Sequence, residues 1–212
     1  IVPIGEWIIR TACASIALLG PGYRVAVNVS PRQFANEKLP ATILSAVSAA
    51  GIRPEQLELE ITEGVFLDES AENLAMFQKL KRTGVRLALD DFGTGYSALG
   101  YLKKAPFDKI KIDQSFVLGA ADPSSMNAAI ISSIVGLATA LNMETTAEGV
   151  ETHDDLALIR GLGCSHVQGY IYGRPMELAE VLALLRDGGG RAEAHGYKCA
   201  REPRLTIFRT IQ

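Results

Sequence analysis

Two hydrophobic periods take turns along this chain. Ile8, Ile9, Ala12, Ile16 and Leu19 fall near helical spacing, which predicts an amphipathic helix from Ile4 to Leu19, stopped at Gly20, Pro21 and Gly22. The β-branched run from Tyr23 to Ser30 predicts a strand ending near Asn28, and Ser30 and Pro31 then open a helical turn. Leu39 to Ala50 reads as a helix closed by Gly51. From Gln56 to Thr62 the alternation is strict: Glu58 and Glu60 share one face, and Leu57, Leu59 and Ile61 share the other. Glu69 to Lys81 predicts a helix with Leu74, Phe77 and Leu80 inward. The apolar run from Val85 to Leu89 predicts a buried strand that ends in Asp90 and Asp91.

The alternation continues downstream. A short helix is predicted near Ala98 to Lys104, then a strand from Asp108 to Asp113 with Lys109, Lys111 and Asp113 on one face. A longer helix from Ser124 to Leu141 follows, then a strand from Glu144 that ends at Glu148. Asp154 to Arg160 is helical, His166 to Gly169 is a short strand, and Met176 to Arg186 is the last helix. About six strands alternating with helices mean βαβ units and a parallel sheet. No Gly-x-Gly-x-x-Gly follows the first strand, so a dinucleotide fold lacks its fingerprint. Asn28, Glu60, Asp90, Lys111, Glu148 and Gln168 each lie at or near the C-terminal end of a different strand. That favours an α/β fold of the (β/α)8 TIM-like barrel type, whose strand ends converge on one mouth. A closed barrel has eight strands, so the barrel is incomplete here. The chain starts at Ile1, and the expectation is that about two strands precede it.

Composition narrows the class. Apolar residues are 48% and charged residues 21%, the balance of a globular protein. A net charge of −3 leaves no footprint for duplex nucleic acid. Cys13, Cys164 and Cys199 are far apart and odd in number, which fits neither a zinc site nor a disulfide framework and points to a reducing cytoplasm. No uninterrupted apolar run approaches the roughly 18 residues of a membrane span. After Arg186 the pattern is lost, and residues 187–212 read as a flexible basic tail.

Candidate chemistry gathers at the strand ends. Asp90 and Asp91 stand before Gly93 and Gly95, a loop that lets the backbone turn tightly. Such a pair suits divalent cations held against a phosphate, although a solvated turn is the plainer alternative. Carboxylates and an amide are hard oxygen ligands suited to Mg²⁺ or Mn²⁺. Lys111 can orient an attacking water or belong to a buried ion-pair network. Glu148 can ligate metal or take a proton, and Gln168 can hold water or substrate. Glu58 and Lys109 sit one step deeper and fit either a site or an inner ion pair. His153, His166 and His195 form no ligand set, and neither a Gly-x-Ser-x-Gly elbow nor a P-loop is present.

Several ordered segments resemble the EAL domain: Val25 to Phe34, Glu58 to Glu63, Asp90 to Ser97, Phe107 to Asp113, Thr145 to Thr152, and Gln168 to Tyr170. The likeness runs from Ile1 to about Arg186 and implies a modified (β/α)8 barrel that hydrolyses cyclic di-GMP to linear pGpG with Mg²⁺ or Mn²⁺. By this resemblance Asn28, Glu60, Asp90 and Asp91 fall on metal-ligand positions, and Asp91 serves the second metal. Lys111 falls on the position that holds the catalytic water, and Glu148 and Gln168 on metal and on water or substrate positions. Glu63 matches the acid that anchors the Gly-rich loop of Phe92, Gly93, Thr94 and Gly95, a loop implied to couple metal binding to homodimer formation. Glu151 lies near the implied nucleotide pocket. The signature Glu-Ala-Leu and the arginine after it are absent, so little or no hydrolase activity is expected of these residues alone. The alternatives are a non-catalytic module that binds cyclic di-GMP or a protein, and an unrelated metal-dependent barrel lyase. An attached GGDEF or sensory domain, and a cytoplasmic site with a membrane anchor elsewhere in a longer protein, complete the expectations.

Overall fold

A computed structural model describes residues 1–67, 70–93, 99–122, 124–187 and 206–208. The chain divides into two compact units, Ile1–Asp108 with Thr206–Gln212, and Lys109–Leu205.

The first unit opens with α1 (Val2–Leu19), which carries a proline in its first turn, where a backbone N–H has no helical partner to lose. Gly5, Ile9, Cys13 and Ile16 are its buried residues, and they face β1 (Arg24–Asn28) and α3 (Leu39–Ala50). Ile8, Ala12 and Leu19, predicted inward, are only half-buried. The outer face is apolar as well, with Ile4, Trp7 and Leu18 exposed, so periodicity alone could not choose the inner stripe. The helix has 18 residues and a mean hydropathy of 1.4, long and apolar enough to cross a bilayer. Counting uninterrupted apolar residues misses this, because Glu6 and Arg10 break the run.

Between these elements, α2 (Pro31–Phe34) is nucleated by a reciprocal cap. Ser30 Oγ accepts the Gln33 N–H at 3.3 Å, and Gln33 Oε1 accepts the Ser30 N–H at 3.2 Å. β2 (Leu57–Thr62) and β3 (Arg86–Phe92) complete a parallel set with β1, with Asn28 opposite Glu60, Glu58 opposite Arg86, and Thr62 opposite Asp90. Leu57, Leu59, Ile61, Leu87 and Leu89 are fully buried on the apolar face. α4 (Ala71–Arg82) starts where the Ser70 hydroxyl accepts the Asn73 N–H at 3.1 Å. It buries Met76, Phe77 and Leu80, while Leu74 is half-buried. Phe77 stacks against Phe34 at 4.6 Å and Phe107 at 5.1 Å between ring centroids. Leu99–Leu102 forms the short α5.

The second unit runs through β4 (Lys109–Ile112), α6 (Gln114–Val117), α7 (Asn127–Ala140), β5 (Glu144–Ala147), α8 (His153–Gly161), β6 (His166–Val167) and α9 (Leu178–Asp187). β4 pairs with β5 and β5 with β6, both parallel. α7 begins at Asn127 rather than Ser124 because Asp122 takes the Ser124 N–H at 2.8 Å and its hydroxyl at 2.7 Å in a turn. β6 is shorter than predicted, because beyond Val167 the chain turns at Gly169. α9 begins at Leu178 rather than Met176.

Within the stretch expected as a tail, Thr206–Phe208 forms a strand, β7, which pairs parallel with β1 and sets Val25 opposite Ile207. It corresponds to the short apolar run that ends at Phe208.

Candidate functional site

In the first unit, parallel register decides which predicted residues meet. Asn28 and Glu60 lie directly opposite on β1 and β2, and facing strands are about 4.8 Å apart. Asp90 is two residues beyond Ala88, the partner of Glu60, and so stands diagonally one step further toward the C-terminal end. Asn28 is exposed, while Glu60 and Asp90 are buried, at 2% and 7% exposure. Strand alternation would turn Asp91 to the opposite face from Asp90, but its φ of 54° puts it in the left-handed region. The Asp90 side chain accepts the Asp91 N–H at 3.1 Å, which supports the turn. Gly93 follows at φ 96°, where a side chain would be strained. Its N–H is received at 3.1 Å by the carboxylate of Glu63, which is buried just past β2. Phe92 between them is buried, and Thr94 and Gly95 lie outside the described residues. Glu58, one layer deeper, is an ion pair: Arg86 Nε donates to its Oε2 at 3.3 Å.

These first-unit residues offer oxygen ligands: carboxylates from Glu60, Asp90 and Asp91, and the amide oxygen of Asn28. Gathering buried carboxylates at one sheet end is costly without positive charge, and hard oxygen donors are the preferred ligands of Mg²⁺ and Mn²⁺. The donor set fits such a cation.

In the second unit, Lys111 lies opposite Thr146, and Thr146 opposite His166, so Glu148 and Gln168 continue the same face beyond the strands. The Lys111 ammonium, with a side chain 4% exposed, donates to Glu148 Oε1 at 2.8 Å. Two tight backbone approaches hold the ends of this face. Gly149, at φ 71°, leaves room for Gln114, whose Cβ would lie 2.6 Å from an added side-chain carbon. Gly169 lies so close to the Val150 peptide that any Cβ would overlap backbone atoms. Val150 donates its N–H to the Gln168 carbonyl at 3.1 Å and accepts the Ile171 N–H at 3.2 Å. Glu148 and Gln168 therefore sit on a stiff junction. Glu151 is exposed beside it.

Thr146 was missed by the sequence reading. It is 3% exposed on the Lys111 face, and alternation from Glu148 back along β5 would have marked it. Of the other titratable candidates, His153 opens α8 in an exposed position and His166 opens β6. Burial pushes the Cys13 thiol up to about 11, partly opposed by the Arg10 charge. Burial also raises the Cys164 thiol, which donates to the His166 carbonyl at 3.2 Å. Neither is set up as a thiolate nucleophile.

The profile of the EAL domain matches residues 1–175. A Pseudomonas aeruginosa protein, the bifunctional diguanylate cyclase/cyclic di-GMP phosphodiesterase MucR, is 40% identical over 187 residues, which is 86% of this chain and 27% of that protein. The chain spans about a fifth to a quarter of the length of the curated relatives it matches. Among solved structures, the PaMucR phosphodiesterase in complex with c-di-GMP superposes with a TM-score of 0.80 at 38% identity, covering 85% of this chain and 80% of that one. Klebsiella pneumoniae BlrP1, solved as a manganese/cy-diGMP complex, gives a TM-score of 0.70 at 32% identity over 77% of this chain and 42% of that one. The fold class is thus the predicted TIM-like barrel, to which β1 to β6 contribute six strands. With an ordered series of polar strand ends and a profile match over most of its length, the chain belongs to the EAL-domain family.

Proposed function

We propose that this chain is part of a metal-dependent phosphodiesterase that hydrolyses cyclic di-GMP to linear pGpG in bacterial second-messenger signalling. One observation carries the reading. The C-terminal ends of six successive strands hold oxygen donors in the first unit, and a buried lysine–carboxylate pair with an amide in the second. The printed activities of the relatives name the substrate class. Asn28, Glu60, Asp90 and Asp91 of the first unit would hold Mg²⁺ or Mn²⁺, and Glu148 is the metal-ligand candidate of the second. When bound, the cations neutralise phosphate charge and lower the pKa of a bound water.

The chain's own residues do the rest. Lys111, held by Glu148 at 2.8 Å, orients a water or a phosphate oxygen. Gln168 orients water or substrate. Glu63 fixes the start of the loop at Gly93. That loop, from Phe92 through Gly95, links the cation site to a homodimer, and Glu151 flanks the nucleotide. Further domains of the GGDEF or sensory kind complete the protein, and free Cys13 and Cys164 accord with a reducing cytoplasmic setting.

A second reading is a module that binds cyclic di-GMP without turning it over. One assay tests both. The purified chain is incubated with Mn²⁺ and cyclic di-GMP, pGpG is followed by chromatography, and binding by calorimetry. Metal-dependent binding with little pGpG, abolished by Asp90→Asn, is the expected result. Robust pGpG production would remove the claim of impairment for the isolated chain, and absence of any binding would sink both readings.

A further inference from the structure

We propose that the Thr146 hydroxyl and the Gln168 side-chain oxygen form a two-point site for one ordered water beside the Lys111–Glu148 pair, which makes Thr146 a positioning residue for Gln168. Thr146 is 97% buried (3% exposed), and its Oγ1 is a buried oxygen with no hydrogen-bond partner. The Gln168 Oε1 is a second such atom. Both belong to one face of the second unit. Thr146 stands opposite Lys111 on β4 and opposite His166 on β6, and Gln168 is two residues past His166. The diagonal between their Cα atoms is about 8 Å, given a strand spacing of ~4.8 Å and a rise of ~3.3 Å per residue.

Chemistry selects water. Gln168 Oε1 can only accept, the Thr146 hydroxyl can donate or accept, and the two are not bonded to each other, so a water that donates to Gln168 and pairs with Thr146 satisfies both. A buried water usually makes about three hydrogen bonds to groups that otherwise lack them. Neither oxygen is placed by accident. The adjacent Thr145, on the opposite face, has a partner: its Oγ1 accepts the Ser165 N–H at 3.0 Å. At the base of its side chain, Gln168 is pinned by its N–H to the Ala147 carbonyl at 2.8 Å and by its carbonyl to the Val150 N–H at 3.1 Å. With the backbone fixed, a water on Oε1 orients the side-chain amide and leaves its NH₂ to face a ligand. Only this last consequence rests on the phosphodiesterase reading.

The test uses the full chain without metal or nucleotide, so its failure leaves that reading standing. Thr146→Val keeps the shape and removes the hydroxyl, and Thr146→Ser keeps the hydroxyl. With a water held, Thr146→Val lowers the folding equilibrium constant by about tenfold or more, whereas Thr146→Ser changes it much less. In water-selective NMR, a long-lived water gives cross-peaks to the Gln168 side-chain NH₂ in the unmodified chain and in Thr146→Ser, and loses them in Thr146→Val. A neutral or stabilising Thr146→Val would overturn the proposal, since removing an unsatisfied hydroxyl relieves a burial cost. Absence of the water cross-peak in the unmodified chain would overturn it even if a variant failed to fold.

Discussion

Replacing Glu148 by alanine removes the carboxylate that meets the Lys111 ammonium at 2.8 Å. At an effective dielectric of about 20, the gross Coulomb attraction at that separation is ~6 kcal/mol. Desolvation of both ions offsets much of it, yet truncating one partner of a buried pair still costs ~3–5 kcal/mol, because the other charge stays inside. Glu148 keeps a side-chain exposure of 16%, which lets water reach the site and places the loss at the lower end, ~3 kcal/mol. For a chain of this length that lowers Tm by roughly 6–12 °C. The assay is a double-mutant cycle followed by urea denaturation: Glu148→Ala, Lys111→Met and the pair together. Met retains the aliphatic stem, so the double variant recovers much of the single-variant loss. The expected coupling is ~2–3 kcal/mol. A coupling below ~0.5 kcal/mol, the value of an exposed surface pair, would refute the argument that burial makes this contact strong.

Two further outcomes follow from the same geometry. Gly169→Ala sets a methyl group against the Val150 backbone, and the junction must open; a loss of ~1–3 kcal/mol is expected, read as a lower urea midpoint together with shifted Gln168 amide signals in NMR. The Cys13 thiol is raised in the folded state from the ordinary 9.0 to about 11. The unfolded chain therefore loses this proton first, and stability is full below pH 9 and declines by ~3 kcal/mol as pH rises to 11. Cys13→Ala, though less stable at neutral pH, should flatten that alkaline slope, and an unchanged slope would disprove the assignment.

Much of the candidate site could be read from the chain by counting. Alternation put Glu60 and Lys111 on polar faces and their neighbours Ile61 and Ile112 on apolar ones, and each of those apolar residues is fully buried. Other features were out of reach. The bond from Gly93 to Glu63 joins residues 30 positions apart, and no local pattern announces it. Glu58 was ambiguous until register set it opposite Arg86. The inner stripe of α1 was ambiguous because both of its faces are apolar. The short Leu205 to Phe208 run is the one patterned stretch of the expected tail, and it was too short to be read as a strand, since a three-residue strand acquires meaning only from the edge it pairs with.

By itself the sequence determined the order of elements, the parallel βαβ class and the type of residue at each strand end. Those follow from backbone periods of two and 3.6 residues, which act over short stretches of chain. Tertiary structure decided which polar residues are partners. Lys111 meets Glu148, Glu63 holds Gly93, Arg86 takes Glu58, and Thr146 joins the face of Gln168. These pairings depend on register between strands distant in sequence, and a shift of one residue would turn every side chain to the other face.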